Sequence, residues 1–253
     1  MSDLFEQVIH KRILNRWARI AGAAEEIELE KLRSVRSRAR EIRRKLDQVL
    51  FVADGRLTLP LVGSNAIRKP LGTDWAQRPE IWRGPISPFG QVAVDSRTPV
   101  GAEAALFHDC RVSELTFRQI RNTRAEDIAP FGLRLEVFRF DGSFMSLALD
   151  LPHSAAEGLT KRHILNMTTT VELERPLEIF ARLNVRHGPN TEQLVHQMLV
   201  KDGVGMVEFD LAYSKINEKR IEKIWMDIIF EMPESNQIIL RDLTFSRRIR
   251  AEL

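Results

Sequence analysis

Apolar and polar residues alternate along much of the C-terminal part of the chain with a period of two, which is typical of half-buried β-strands. The clearest alternation occurs in residues 145–151, 165–173, 177–185, 207–211 and 224–230. Each segment has one apolar and one polar face, as in an antiparallel sheet with a core on one side and water on the other. The pattern predicts a mainly β fold, an antiparallel two-sheet sandwich of jelly-roll-like architecture.

Two local signals add detail to this sandwich. Asp141-Gly142 separates strand patterns at 133–140 and 143–151, and this dipeptide favours the positive φ angles of a type I′ hairpin. The apolar phase also changes within residues 238–245. That change predicts a β-bulge near Arg241-Asp242.

The first 50 residues have a helical period instead. One stripe has the 3-4 spacing of heptad a and d positions and consists of Leu32, Val35, Ala39, Ile42, Leu46 and Val49. A second stripe upstream shares one helical face and consists of Leu4, Phe5, Val8, Ile9, Ile13, Trp17 and Ile20. Because the two stripes are out of phase, the sequence predicts either two helices or one bent helix, a basic amphipathic N-terminal extension.

This arm is strongly basic. Residues 31–45 hold eight Lys or Arg and one Glu, and the upstream stripe is accompanied by Lys11, Arg12, Arg16 and Arg19. Three interpretations stay open. The arm packs on its own domain, it self-associates as a short coiled coil, or it contacts an anionic membrane surface as a basic amphipathic helix with aromatic residues.

Between the arm and the sandwich, residues 51–62 predict a short strand and residues 63–90 are rich in Pro and Gly. This stretch contains Trp75 and Trp82. The expected organisation is a helical arm at 1–50, an irregular connector at 51–90 packed on the body, and a β-sandwich at 91–253.

Composition sets limits on function. Residues 1–50 hold 12 basic and 8 acidic residues, whereas residues 51–253 hold 26 and 27. The body is therefore not a basic nucleic-acid platform, and no specific nucleic acid is expected as a partner. No apolar stretch reaches the length of a transmembrane helix and no signal peptide is evident, so we expect the cytoplasm, including the inner surface of a membrane.

Catalytic motifs give little. The chain contains no P-loop, GxGxxG, GxSxG or HExxH pattern. His108, Asp109 and Cys110 are consecutive, but neighbouring residues on a strand point to opposite faces, so a structural role is favoured over a nucleophilic one. Cys110 is the single cysteine, which excludes an intramolecular disulfide and a cysteine-based zinc site.

Metal and acid–base sites are weakly indicated. His187, Glu192 and His196 lie around a Gly-Pro-Asn turn, but scattered histidines usually have no metal. Asp227 with Glu231, and Glu208 with Asp210, form carboxylate pairs of the kind that glycosidases use. Such pairs are common in sandwiches, so we expect no cofactor, no metal and no enzyme activity.

The outward strand faces carry a more specific signal. They would bring together an aromatic platform, amides and a guanidinium if their strands share one sheet, and the residues are Phe180, Arg182, Asn184, Asn166, Thr168, Trp225 and Asp227. Aromatic rings stack on the C–H face of a sugar while planar polar groups bind its hydroxyls. The alternative is that Trp225 is covered by the arm or by the connector.

Several segments of the sequence resemble those of a known family. They are WAQRPEIWRGP, FHDC, FGLRLEVFRFDGSFMSLALDLP, ARLNVRHGPNTEQ, EFDLAYSKINEKR and IILRDLTFSRRIRAEL. They are similar to an uncharacterised family of alphaproteobacterial proteins described only as a domain of unknown function, and with no activity assigned the resemblance transfers no catalytic residues to this sequence. The closing segment IIFEMPESNQIILRDLTF resembles, in pattern, the last hairpin of jelly-roll carbohydrate-binding modules, which implies a fold more than a ligand.

Three functions follow as hypotheses. The favoured one is a non-catalytic adaptor that holds a protein partner on the sandwich and uses the arm for a membrane surface or for homo-oligomerisation. It predicts an exposed apolar patch. A glycan-binding module predicts an exposed Trp225 beside Arg182 and Asn184, and a carbohydrate-active enzyme predicts a cleft with two carboxylates about 5–10 Å apart.

Overall fold

The computed structural model describes residues 2–58, 67–111, 114–124 and 126–250, without the side chains of 2–9, 51, 52 and 54–58. The chain divides into two compact units, Met1–Val52 and Ala53–Leu253. The first is helical. The second is a two-sheet antiparallel β-sandwich, so the predicted fold class is confirmed.

The arm contains two helices, one of the two arrangements that the stripes predict. Helix α1 spans Ser2–Gly22 and helix α2 begins at Leu29 and continues to Thr58. Apolar side chains near the junction are half-buried, and these are Trp17, Ile20, Ala24, Ile27, Leu32, Val35 and Ala39. Farther along α2 the same stripe is exposed, with Ile42 41%, Leu46 56% and Val49 63% accessible.

Sheet A has eight strands within the described residues. They are β1 (Thr73–Gln77), β2 (Gly90–Gln91), β5 (Leu115–Arg121), β6 (Phe131–Val137), β8 (His163–Leu173), β11 (Val200–Lys201), β12 (Val204–Asp210) and β14 (Asn236–Ile249). Their order is β11-β12-β8-β14-β6-β5-β2, and β1 also pairs with β14.

Sheet B has six strands within the same residues. They are β3 (Thr98–Val100), β4 (Ala104–His108), β7 (Phe144–Asp150), β9 (Ile179–His187), β10 (Asn190–Gln197) and β13 (Ile221–Glu231). Their order is β10-β9-β13-β7-β4-β3. Alternation sends Met145, Leu147 and Leu149 inward, which is why the faces predicted from the sequence are those observed.

The inner faces of both sheets share one apolar core. Its largest fully buried apolar side chains include Trp82, Phe117, Phe131, Phe209, Phe230 and Phe245. Short helices α3 (Glu80–Arg83) and α4 (His153–Ala156) and two 3-10 turns (Leu211–Tyr213, Glu218–Arg220) join the strands. Trp82 enters the core from α3, so the Trp-containing segment is part of the sandwich.

Strand β14 contains the predicted bulge. Leu240 pairs with Val171 and Asp242 pairs with Thr170, so Arg241 is the additional residue and the prediction is confirmed. The backbone groups freed there have side-chain partners. Trp82 Nε1 donates to the Leu240 carbonyl at 2.9 Å.

The same bulge binds further polar groups. Asn122 Nδ2 donates to the Arg241 carbonyl at 2.7 Å, and Thr169 Oγ1 donates to the Asp242 carbonyl at 2.8 Å. Arg78 donates to both carboxylate oxygens of Asp242, at 2.8 and 2.9 Å. The Arg78 side chain is only 1% exposed, so this is a buried, bidentate ion pair.

Both predicted hairpins are wrong, for a shared reason. The strands beside Asp141-Gly142 are β6 and β7, and those of the closing segment are β13 and β14; each pair is divided between sheets A and B. Position 142 instead requires glycine because the backbone there passes close to another segment: a Cβ would lie 2.9 Å from the Cys110 nitrogen. Each turn is a corner between the two layers of the sandwich.

The predicted strand at residues 51–62 is also wrong where the structure describes it. Helix α2 continues through Thr58, and residues 59–62 lie outside the described part. The apolar spacing of Leu46, Val49, Leu50 and Ala53 also fits a helix, and extending an existing helix costs less than starting a strand. Within the predicted irregular connector, Thr73–Gln77 is a sheet strand.

The Arg78–Asp242 pair generates a stability prediction. Replacing Arg78 by Met leaves a mostly buried carboxylate at the bulge without its bidentate partner, so we expect a loss of about 3–5 kcal/mol in the free energy of unfolding. Urea denaturation followed by circular dichroism measures it. Arg186→Met, which breaks the half-exposed Arg186–Glu222 pair, is the control and should cost less than about 1 kcal/mol. Equal losses would contradict a special role for the bulge.

Candidate functional site

A groove of about 590 Å³ crosses the outer face of sheet B. Strand register puts Trp225 of β13 between Asp150 of β7 and Asn184 of β9. The groove touches five neighbouring strands, from β4 to β10. Strands lie about 4.8 Å apart, so it is about 19 Å long across the sheet.

Short side chains give the groove its depth. Ala105 on β4 pairs with Ala148 on β7, and Ala148 in turn lies opposite Asp227. Because alanine extends little from the sheet, larger side chains rise on either side. Trp225 lies on one side of this row and Phe107 on the other, and both are half-buried.

A hydrogen-bond network holds the polar part of the floor. Arg182 donates from Nε and Nη2 to Asp227 Oδ2, both at 2.8 Å. Asn184 Nδ2 donates to the same oxygen at 2.9 Å, and Gln193 Nε2 donates to Asn184 Oδ1 at 2.9 Å. Asn184 is fully buried and Asp227 is 5% exposed. These two residues therefore orient Arg182 and Gln193, which reach the groove.

The remaining charges of the groove are also paired. Lys223 Nζ lies 2.8 Å from Asp150 Oδ1 and 5.7 Å from the centroid of the Trp225 ring, a cation–π contact. Glu103 pairs with Arg83 at 3.1 Å. Arg186 pairs with Glu222 at 3.1 Å. The groove is therefore polar but internally neutralised.

Ser146 is a polar group in the floor with unmet hydrogen-bonding capacity. It is 4% exposed and its Oγ has no hydrogen-bond partner among the described residues. It lies opposite Phe107 on β4 and lines the groove. A buried hydroxyl without a partner is destabilising, and so are two such atoms of the described residues away from the groove, Gln77 Oε1 and His108 Nδ1.

The structure brings four of the seven predicted face residues together and separates three. Trp225, Asp227, Arg182 and Asn184 share the groove. Phe180 is on the same strand as Arg182 but beside Ile229 and Gln197, away from the groove lining. The other two belong to the opposite sheet.

Asn166 and Thr168 are on β8 in sheet A, so their predicted union with Trp225 is wrong. Asn166 is 3% exposed; its Nδ2 donates to Glu208 at 3.2 Å and its Oδ1 accepts from Thr168 at 3.0 Å. Both residues line a separate hollow of about 540 Å³ on sheet A. Strand alternation identifies the face of a strand but does not say which strands are neighbours.

Sequence reasoning also missed residues of the groove. Ala105, Ala148 and Ser146 carry no chemical signature that would single them out. Gln193 is on β10, directly opposite Asn184, and its role follows only from that register. Alternation within residues 145–151 does place Ser146 and Ala148 on the polar face, which is the one signal available.

The His108-Asp109-Cys110 segment is a structural corner. His108 is buried and its Nε2 lies 2.8 Å from the Val94 carbonyl. Asp109 accepts hydrogen bonds from the Ser143 nitrogen and hydroxyl; burial alone would raise its pKa, but these bonds outweigh burial and lower it. Burial, reinforced by a hydrogen bond to Asp141, raises the pKa of Cys110. A thiol with a raised pKa is a poor nucleophile.

The suggested metal ligands do not meet. His187 lies opposite Asn190 at the β9–β10 turn, and His196 lies opposite Ala181, with its ring centroid 5.1 Å from that of Phe209. Glu192 accepts from the Lys215 nitrogen. In the part of the chain that is described, no group of three His, Cys, Asp or Glu side chains could hold a metal ion.

The suggested carboxylate pairs each stay on one strand, but only one of the four residues lines the groove. Asp227 and Glu231 are both on β13 in sheet B, and Glu208 and Asp210 are both on β12 in sheet A, where they pair with Arg248 and Arg250. Glu231 is exposed at the end of β13 and does not line the groove. Neither pair places both of its carboxylates in the groove of sheet B.

The arm residues lie where the stripes place them. Phe5 is in α1, but its side chain is outside the described part. The cations of α1 are all exposed, and these are Lys11, Arg12, Arg16 and Arg19. Considering only described residues, no helix combines the length and apolarity required to span a membrane. Contact with a membrane surface or with a second copy stays a prediction.

Solved structures with some likeness to the chain include sugar-binding proteins. One is a family 11 carbohydrate-binding module from Clostridium thermocellum in complex with a β-1,3-1,4-mixed-linked tetrasaccharide (TM-score 0.39, 11% identity, 65% of this chain and 98% of that one). Another is the module TmCBM61 in complex with β-1,4-galactotriose (TM-score 0.34, 12% identity, 61% and 91%).

A third is the enzymatically active domain of bacteriophage CBA120 tailspike protein 4, with a TM-score of 0.41 and 6% identity over 56% of this chain. The match spans only 19% of that tailspike chain. No curated protein matches this sequence. The sequence match that does cover the whole chain, residues 1–253, shows that the protein belongs to the Family of unknown function (DUF6478).

Proposed function

We propose that the sandwich is a non-catalytic binding module that holds a neutral oligosaccharide chain in the groove of sheet B. The observation that carries this proposal is the position of Trp225, a half-buried aromatic side chain in a concave, hydrogen-bonded sheet face. Sites for small molecules combine apolar surface with a few well-placed polar groups. A sugar ring presents both types of surface, C–H groups on its face and hydroxyls around its edge.

The pairing of charges supports a neutral ligand. Within the groove, Asp227, Asp150 and Glu103 each contact a cation, and Arg186 contacts Glu222. An acidic sugar would have to compete with these carboxylates for Arg182, Lys223 and Arg186. Hydroxyl groups can instead bind the donors and acceptors that the pairs leave free, since a guanidinium has five N–H donors.

The location of the groove favours a chain of sugar rings, rather than an extended peptide, as its ligand. A bound peptide strand gains its affinity from main-chain hydrogen bonds at an exposed sheet edge. This groove lies on a sheet face, where the main chain is already paired on both sides. Affinity must therefore come from side chains, and an aromatic platform suits a ring.

Two other functions have less support. The enzyme hypothesis depended on the pairs Asp227–Glu231 and Glu208–Asp210, and of these four carboxylates only Asp227 lines the groove. The adaptor hypothesis predicts an exposed apolar patch, and side chains at one edge of sheet A fit that description: Leu199, Val200, Val204 and Met206. Exposure of these side chains does not identify a partner, so the protein-partner role stays a prediction.

Substitution of Trp225 tests the proposal. Loss of the aromatic platform should weaken binding of neutral oligosaccharides by about thirtyfold or more, the usual effect of truncating a central aromatic residue. Isothermal titration calorimetry with fragments of β-1,3-1,4-glucan and β-1,4-galactan, beside acidic uronic-acid oligomers, would measure affinity and charge preference together. Ala148→Leu, which fills the floor, should also abolish binding.

Tyr213→Ala is the matched control, because Tyr213 is an aromatic residue that is 80% exposed and lies outside the groove lining. This variant should bind as the parent does, and all three variants should keep the parent's circular dichroism spectrum. If the parent binds no neutral sugar, or if Trp225→Ala and Ala148→Leu both leave affinity unchanged, the proposal is wrong. A preference for the acidic oligomers would overturn the claim of neutrality.

Substitution of Ser146 gives a second test, because it should raise the stability of the free protein and weaken its binding of sugar. In the free protein, Ser146→Ala removes a buried hydroxyl that has no partner among the described residues, so unfolding should cost about 1 kcal/mol more. Ser146 Oγ is shielded in the free protein, so a sugar hydroxyl reaches it only after the side chain changes rotamer. A bound hydroxyl would then give Ser146 a partner, and the same variant should bind sugar several-fold more weakly. Thermal unfolding with and without the oligosaccharide measures both effects, and a destabilised Ser146→Ala protein would contradict this role.

A further inference from the structure

The charges beside the apolar stripe of α2 distinguish among its potential partners. With Leu32 at position a of the heptad, the flanking e and g positions that carry charge are Lys31, Arg36, Arg38, Arg43 and Lys45. All five are cationic and exposed. The acidic residues of this segment lie elsewhere, with Glu41 on the far side of the helix.

This arrangement opposes self-association. In a two-stranded coiled coil the e and g side chains of one helix meet those of the other and set partner choice. Two copies of α2 would bring Arg and Lys together in either orientation. Lys31 and Arg43 have acidic neighbours, Glu28 at 3.5 Å and Asp47 at 3.6 Å, but all four side chains are more than half exposed and both pairs are weak. The stripe therefore fits an anionic partner.

We propose that α2 docks on an anionic lipid surface through its exposed apolar residues and the cations on both sides of them. Ile42, Leu46 and Val49 are 41%, 56% and 63% exposed. Interfacial helices combine an apolar stripe with flanking Lys and Arg, whose aliphatic stems extend along the acyl boundary while their charges reach the headgroups. Each cation near such a surface adds to the attraction.

Two observations favour lipid over other anionic partners. Nucleic-acid phosphates would leave the apolar stripe in water, because they bind cations and not aliphatic side chains. An acidic partner helix could cover this stripe, but α1 has the same combination on a stripe of different phase, where Ile13 is 51% exposed beside four exposed cations. A lipid surface serves both helices with the same chemistry.

The experiment compares two triple variants of the full chain with the same loss of charge. Arg36→Gln/Arg38→Gln/Arg43→Gln removes cations beside the stripe, and Arg33→Gln/Arg40→Gln/Arg44→Gln removes cations that point away from it. Flotation is measured with vesicles of phosphatidylcholine alone and with phosphatidylglycerol added. The first variant should bind the anionic vesicles on the order of a hundredfold more weakly than the parent, and the second less than tenfold more weakly.

The parent should float with the anionic vesicles at low salt and be released from them at high salt, and it should not float with vesicles of phosphatidylcholine alone. Leu46→Ser should also weaken flotation, since it removes an apolar contact and leaves the charge unchanged. Equal losses in the two triple variants would overturn docking through this face. Absence of flotation would do the same, as would light scattering that shows a dimer lost in Leu46→Ser, which would assign the stripe to a second copy.

Discussion

The additional residue at Arg241 is the constraint around which sheet A is organised. Strand β14 pairs with β8 along nearly its whole length, but on its other edge it pairs with β6 before the bulge and with β1 after it. The bulge separates these two partners and frees carbonyl groups in the middle of a sheet. Trp82, Asn122 and Thr169 bind those carbonyls, and Arg78 neutralises Asp242. A segment that reads as an irregular connector, residues 73–83, is therefore bound to the centre of the fold, since an unpaired buried carbonyl is costly.

The groove of sheet B depends on the core for its orientation. Met226 and Ile228 are fully buried, so the alternation along β13 directs Trp225 and Asp227 to the outer face. Asp227 is nearly buried there, and a carboxylate in that position requires partners, which Arg182 and Asn184 supply. The polar floor is thus rigid for a structural reason. A rigid floor also lowers the entropic cost of ordering side chains when a ligand binds.

Alternation along the sequence is sufficient to predict the strands β7, β8, β9, β12 and β13 with their faces, the bulge in β14 and the outward orientation of four groove residues. It failed wherever the result depended on which strands are neighbours. Asn166 and Thr168 have the correct outward orientation but belong to sheet A, and Asp141-Gly142 has hairpin chemistry but turns between layers. The alanines that deepen the groove could not be found at all, because a small residue becomes informative only when its neighbours are known. The helices of the arm can be predicted more directly, because a heptad pattern depends only on nearby residues. The exception is the end of α2 beyond residue 50, where the sequence predicts a strand.

The groove and the arm differ in how their charges are balanced, and this separates their physical responses. The charges of the groove are paired with neighbours at about 3 Å, so added salt should have little effect on the binding of a neutral ligand there. Cations on α2 are exposed and mostly without acidic neighbours on their own face, so their attraction to an anionic surface falls steeply as the Debye length shortens to about 8 Å at physiological ionic strength. Salt would therefore release the arm while leaving sugar binding intact. Under the two proposals above, the groove and the arm would bind through contacts that can be adjusted independently.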